Sequence, residues 1–249
     1  MKLPFSTDKG AAAKAALGLI VLQSDESMEA ELRPVFDQEG LALYHSRIPS
    51  AAEVTEETLQ QMELDLPRAA ALLPGSHPLD VVGYGCTSGA TVIGADKVAA
   101  AIHTSHPGAR TTDPITAVIV ACNYLKVRKL GFVTPYVAEV SEAMRALLEL
   151  NGLIVSTFGS FEQIEETVVA RISQQSVLEA VCAVGENTEV EAVFASCTNL
   201  RSFGIIDKAE ATIGKPVISS NQALAWHMLT LAGLPTHGKG PGRLFRQQA

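Results

Sequence analysis

Two short stretches of the chain bring a cysteine out of an apolar run in the same way. They are Asp80-Val81-Val82-Gly83-Tyr84-Gly85-Cys86-Thr87-Ser88-Gly89 and Glu191-Ala192-Val193-Phe194-Ala195-Ser196-Cys197-Thr198-Asn199-Leu200. An apolar run ending in small residues reads as a buried parallel strand leaving its sheet. Each thiol therefore stands at the carboxyl end of a strand, where open α/β sheets bind their ligands. Two thiols delivered to equivalent positions point to paired acid/base or nucleophilic chemistry. One can take a proton from a flat carbon centre while the other returns one, or one can add to an activated double bond and later leave. Neither reaction requires a metal or an organic cofactor.

The neighbours of the cysteines fit that chemistry. Backbone N–H groups of Thr87-Ser88 and Thr198-Asn199, placed just ahead of helices, favour the thiolate, which at neutral pH is a minor form of an ordinary cysteine. The same groups, with the hydroxyls of Thr87, Ser88 and Thr198 and the amide of Asn199, can hold a substrate carboxylate, with helix capping as their alternative. Ser219, Ser220 and Asn221 leave a strand and precede a helix, so they line the cleft floor or cap that helix. Cys122 and Cys182 lie in apolar helical stretches and read as core residues. His227 reads as a packed helix residue, and His103 and His106 lack the spacing of a zinc site. There is no Walker loop and no GxGxxG fingerprint.

The elements that must position the thiols come in two similar series. In the first, strands at Leu17–Leu22 and Leu41–Ser46 alternate with helices at Met28–Phe36 and Thr55–Leu73, before the Cys86 strand and a helix at Thr91–His103. In the second, a helix at Thr116–Val127 leads to a strand at Leu130–Thr134, a helix at Val140–Asn151 and a strand at Leu153–Thr157. A helix at Ile172–Val184 then precedes the Cys197 strand, followed by a helix at Ile205–Ile213, a strand at Pro216–Ser219 and a helix at Ala223–Ala232. Leu17-Gly18-Leu19-Ile20-Val21 resembles Leu130-Gly131-Phe132-Val133-Thr134 at an offset of 113 residues, and the two cysteines are 111 apart. A near-constant offset predicts an internal duplication: an α/β fold of two pseudo-symmetric Rossmann-like lobes, each a mostly parallel sheet flanked by helices, with the active site in the cleft between them. The expected boundaries are a loose lead-in at 1–14, a first lobe of 15–112 plus 222–249, and a second lobe of 113–221.

Composition narrows the class of protein. The chain has 249 residues, 47% hydrophobic and 18% charged, which suits a well-buried globular protein. A net charge of −8 argues against nucleic-acid or anionic-membrane partners and leaves a small anionic substrate possible through local site charge. No apolar run approaches the roughly 18 residues of a membrane span, and residues 1–16 lack the apolar core of a secretory leader. Four widely spaced cysteines without a CxxC pair then read as reduced thiols in a cytoplasmic protein. The basic tail Lys239–Arg246 reads as a surface or subunit contact.

Gly85-Cys86-Thr87-Ser88-Gly89, Ser196-Cys197-Thr198-Asn199-Leu200, Val133-Thr134-Pro135-Tyr136 and Pro216-Val217-Ile218-Ser219-Ser220 together resemble the aspartate/glutamate racemase superfamily over roughly residues 17–234. Within it the chain is similar to the branch of maleate cis-trans isomerase, arylmalonate decarboxylase and the EutA-type ectoine-utilisation proteins. The resemblance implies cofactor-independent chemistry and a homo-oligomer. It gives Cys86 as nucleophile, Cys197 as partner acid/base, and Tyr136 as a contact to substrate carboxylate. Arylmalonate decarboxylases lack the first cysteine, so Cys86 counts against decarboxylation. Maleate isomerases carry Ser-Asn after the first strand, where this chain has Ser24-Asp25. An ionised Asp25 repels a carboxylate and favours an amine or hydroxyl on the ligand. This suits an amino or amido acid, and a plain helix cap is the alternative. The expected activity is isomerisation or racemisation of a small carboxylic acid. An arylmalonate-type decarboxylase and a non-catalytic small-ligand-binding protein are the alternatives.

Overall fold

The computed structural model describes residues 1–247. It contains two four-stranded parallel sheets with the same internal order. The first runs β2-β1-β3-β4, from β1 (Ala15–Leu22), β2 (Leu41–Ile48), β3 (Val81–Gly85) and β4 (Arg110–Thr112). The second runs β6-β5-β7-β8, from β5 (Lys129–Tyr136), β6 (Ile154–Gln163), β7 (Ala192–Ala195) and β8 (Val217–Ser219). The registers repeat as well: Leu17 pairs with Val81 in the first sheet, and Leu130 with Ala192 in the second. The apolar runs that suggest buried strands are buried throughout in β1, β3 and β7. The two sheets therefore match each other strand for strand, as the duplicated α/β architecture read from the sequence expects.

Several boundaries differ for physical reasons. The single helix expected at Thr91–His103 is two, α3 (Thr87–Ile93) and α4 (Ala95–His103). They break at Gly94, whose φ of +90° lies outside the helical region and costs glycine little. Strand β4 escapes sequence reading because its three residues are polar at an edge position, joined only to β3. The helix expected from Ala223 begins three residues earlier, as α10 (Ser220–Leu231), because Ser219 and Gln222 form a capping box around its first turn. Every residue from Ser220 to Leu229 is buried, as α10 packs on α5 (Pro114–Leu125), on α1 (Met28–Phe36) and on strands of both sheets. The boundary expected at residue 222 falls inside this helix. The basic tail contacts its own chain: α11 (Gly242–Arg246) packs against α9 (Ile206–Ile213), with Arg246 paired to Asp207 at 2.5 Å and Glu210 at 2.6 Å. Among the described residues no helix is long and apolar enough to cross a membrane.

Candidate active site

Both cysteines leave their strands into a common buried region, tied together by one serine. Ser220, the first residue of α10, accepts a hydrogen bond on Oγ from the Thr87 hydroxyl at 2.8 Å and from the Cys197 N–H at 3.1 Å. The Thr198 hydroxyl donates back across the cleft to the Gly85 carbonyl at 3.3 Å. Each cysteine segment is thus bonded to the other sheet or to the helix between them. Thr87 and Thr198, expected to hold substrate, spend their hydroxyls on this seam. Ser219 likewise caps α10, accepting the Gln222 N–H at 3.2 Å, and is not among the residues lining the cavity. Its capping alternative replaces the cleft-floor expectation.

The two thiols have different surroundings. Cys86 is the N-cap of α3, and its Sγ accepts the Gly89 N–H at 3.1 Å. Gly89 permits this approach, because a Cβ there would lie 2.6 Å from the Tyr84 hydroxyl and 2.9 Å from the Cys86 sulfur. Cys197 sits at φ +93°, a conformation a non-glycine residue holds at a cost of about 1–3 kcal/mol. No helix follows it directly; the next turn of helix starts at Phe203. Its Sγ accepts the Asn199 N–H at 3.3 Å and lies 3.1 Å from the Tyr136 hydroxyl.

The expectation that backbone N–H groups favour the thiolate is overturned by burial. Both cysteines are closed off from solvent, and burial pushes the Cys86 thiol up to about 12 against the smaller opposing effect of the Gly89 N–H. Burial, and then the nearby Glu166 carboxylate, raise the Cys197 thiol well above the ordinary range. Burial thus favours the thiol form of both groups.

Glu166 was not foreseen. It opens the short helix α7 (Glu166–Val169), and its buried carboxylate occupies the donors that the sequence assigned to a substrate. The Tyr136 hydroxyl donates to Oε1 at 2.5 Å, and the Asn199 side-chain amide donates to Oε2 at 2.7 Å. What buries Glu166 is a contact between distant loops: its N–H donates to the Ala52 carbonyl, and Val54 N–H to the Ile164 carbonyl, both at 3.2 Å. The remaining cavity is only about 20 Å³, lined by Cys86, Ser88, Tyr136 and Glu166 among others. Val54 and Leu59 also line a larger cavity of about 640 Å³ whose walls include Val92, Val140 and Ile164.

Asp25 does the capping half of its two expected roles. Its Oδ1 accepts the N–H groups of Ser27 and Met28, both at 2.8 Å, at the start of α1. Oδ2 is buried without a hydrogen-bond partner, although the Thr198 hydroxyl lies against the carboxyl, and burial raises its pKa. The Asp25 charge also bears on both thiols. Ser88 also has a buried hydroxyl without a partner, and it lines the cavity. The residues read as structural are so: His227 Nδ1 meets the Thr112 hydroxyl, His103 and His106 meet the backbone carbonyls of Ala109 and Ala70, and Cys122 is buried in α5.

Comparison with known proteins gives this geometry a family. The family model described as arylmalonate decarboxylase matches residues 95–245. Maleate isomerase from Nocardia farcinica is 27% identical over 94% of this chain and 96% of its own length. The crystal structure of the maleate isomerase from Pseudomonas putida S16 superposes with a TM-score of 0.84 at 25% identity, covering 93% of this chain and 98% of that one. A cysteine-to-serine variant of the Nocardia farcinica maleate cis-trans isomerase with a covalently bound succinylcysteine intermediate has a TM-score of 0.82 at 25% identity, covering 94% and 99%.

Proposed function

The chain belongs to the arylmalonate decarboxylase family, and from that premise we propose that it is a cofactor-independent isomerase or racemase of a small carboxylic acid, with Cys86 and Cys197 working on opposite faces of the substrate. The observation that carries this reading is the delivery of two thiols from equivalent strand ends to one buried region, cross-bonded through Ser220. Relatives named maleate isomerase, one of them with a succinylcysteine intermediate, support isomerisation over proton-free binding.

In the isomerase form, the Cys86 sulfur bonds to one carbon of an activated double bond while the Cys197 S–H protonates the other, and the Cys86 proton passes to the Cys197 sulfur. Rotation about the resulting single bond, followed by the reverse steps, returns both thiols and the other geometric isomer. In the racemase form, one thiol removes a Cα proton and the other delivers one from the opposite side. The unpartnered Asp25 oxygen and the Glu166 carboxylate suit a substrate that offers an N–H donor, so amino and amido acids, including diaminobutyrate derivatives of the kind met in ectoine breakdown, stand beside maleate as candidates. A cytoplasmic homo-oligomer completes the proposal.

The test is a panel of maleate, aspartate, diaminobutyrate derivatives and a hydantoin, followed by NMR in deuterium oxide. Conversion, or deuterium entering a carbon next to a carboxylate, is expected for at least one acid. A panel in which ligands bind and none exchanges or converts favours a binding protein instead. The family description gives a second reading, decarboxylation, which carbon dioxide release from arylmalonates would reveal.

A further inference from the structure

We propose that Glu166, acting through Tyr136, holds Cys197 in its thiol form and thereby makes it the proton donor of the pair. Glu166 is a positioning residue for Cys197. The proposal rests on the two-thiol reading above, but it concerns a protonation state that can be measured without any substrate.

The argument is one of counting protons along a bonded chain. Tyr136 has a single hydroxyl proton, and Glu166 Oε1 takes it at 2.5 Å. The other carboxylate oxygen accepts from Asn199 at 2.7 Å, so both oxygens of Glu166 receive donors that favour its ionised form against the burial that raises its pKa. With its proton committed, Tyr136 can only accept from Cys197, whose Sγ lies 3.1 Å away. With Glu166 ionised, the sulfur then carries the hydrogen. The Glu166 and Asp25 carboxylates bear on Cys86 as well and Tyr84 stands beside it, but the Tyr84 hydroxyl donates to the Met62 sulfur at 3.1 Å rather than to a carboxylate, and the Cys86 sulfur accepts the Gly89 N–H, a donor that suits an attacking sulfur. The charged and titratable groups that bear on Cys197 are Glu166 from α7, Tyr136 from β5 and Asp25 from the turn before α1; both carboxylates act in the same sense, against the thiolate.

Glu166→Gln should reverse the chain, because the orientation of its partner is fixed. Asn199 Oδ1 accepts the Glu26 N–H at 2.8 Å, so its Nδ2 must face residue 166. A glutamine there presents its oxygen to Asn199 and its nitrogen to Tyr136. That nitrogen donates to the phenol oxygen and frees the O–H to donate to the Cys197 sulfur, stabilising the thiolate.

The experiment is a pH titration of Cys197 by ultraviolet thiolate absorbance, taken as the difference between each protein and its Cys197→Ser counterpart. The wild type is expected to remain a thiol through neutral pH, and E166Q to hold about tenfold more thiolate or beyond at a given alkaline pH. Tyr136→Phe combined with E166Q removes the freed O–H and should cancel most of that gain. An E166Q titration equal to or less ready than wild type overturns the proposal, as does a double variant that keeps the full gain, since charge alone would then explain it. A measurement on the unaltered protein guards against a variant that fails to fold. Carbon-13 NMR of labelled cysteine and glutamate at neutral pH should find Cys197 as thiol and Glu166 ionised. A Cys197 thiolate or a protonated Glu166 there is the contrary result.

Discussion

The two halves of the molecule share strand order, register and cysteine placement, yet they hold their cysteines by different means. Cys86 has extended backbone, caps a helix and accepts one N–H. Cys197 has a left-handed backbone, no helix directly behind it, and a tyrosine at its sulfur that is bonded in turn to Glu166. Duplication of a lobe supplies two thiols in equivalent places, and a reaction that needs one attacking group and one donor then requires the places to diverge. The divergence lies in loops and turns, where a duplicated fold is free to change.

The comparison can be broken most sharply at the sulfurs. Cys86→Ser is expected to lower turnover of whichever acid the wild type converts by about a thousandfold or more, with circular dichroism unchanged. Cys182→Ser, in the half-buried face of α8 (Gln174–Gly185), should leave turnover at the wild-type level. Equal losses from both would mean that position in the cleft does not matter.

Gly89→Ala attacks only the first half. The added methyl would meet the Tyr84 hydroxyl and the Cys86 sulfur, so a destabilisation of about 1–3 kcal/mol is expected by urea unfolding, where alanine in a helix normally helps. Ser220→Ala acts on the seam between the halves. It strands the buried Cys197 N–H and the Thr87 hydroxyl, at a cost of about 1–3 kcal/mol by the same measurement.

A pH slope is expected where α1 meets α10. Glu31 of α1 accepts from Phe203 N–H and from Asn221, and burial lifts its carboxyl from 4.5 to about 7. Between those values the folded chain keeps a proton that the unfolded chain has lost. Stability from this group is therefore full below about pH 4.5 and falls as pH rises toward 7. Glu31→Gln should flatten the dependence of the urea midpoint over that range, and an unchanged slope would place its origin elsewhere.

Much of this was legible in the residues. Apolar runs ending in Gly-Cys-Thr and Ser-Cys-Thr, at a nearly constant offset, carried the strands, the duplication and the pair of thiols, because buried parallel strands write themselves as continuous apolar segments. Tyr136, which the resemblance gave as a contact to substrate carboxylate, and Asn199, read as a donor to one, both stand at Cys197 and donate to the Glu166 carboxylate. Glu166 itself could not be read, since its burial depends on the loop at Ala52–Val54 bonding to the loop at Ile164–Glu166 more than a hundred residues away. The thiolate expectation failed for a related reason. Helix N–H groups are visible in local sequence, whereas the loss of solvent that outweighs them is a property of the assembled cleft. The short polar strand β4 and the break at Gly94 lacked a periodic signal of their own.

The central claim is that the proton reaching the substrate carbon comes from Cys197. The most direct test follows deuterium entry from solvent into the acid that the wild type converts, comparing wild type with Cys197→Ala by NMR in deuterium oxide. The account predicts label at the reacting carbon with the wild type and none with Cys197→Ala, although the variant still binds the acid. Deuterium entering at the wild-type rate without the Cys197 thiol would contradict it.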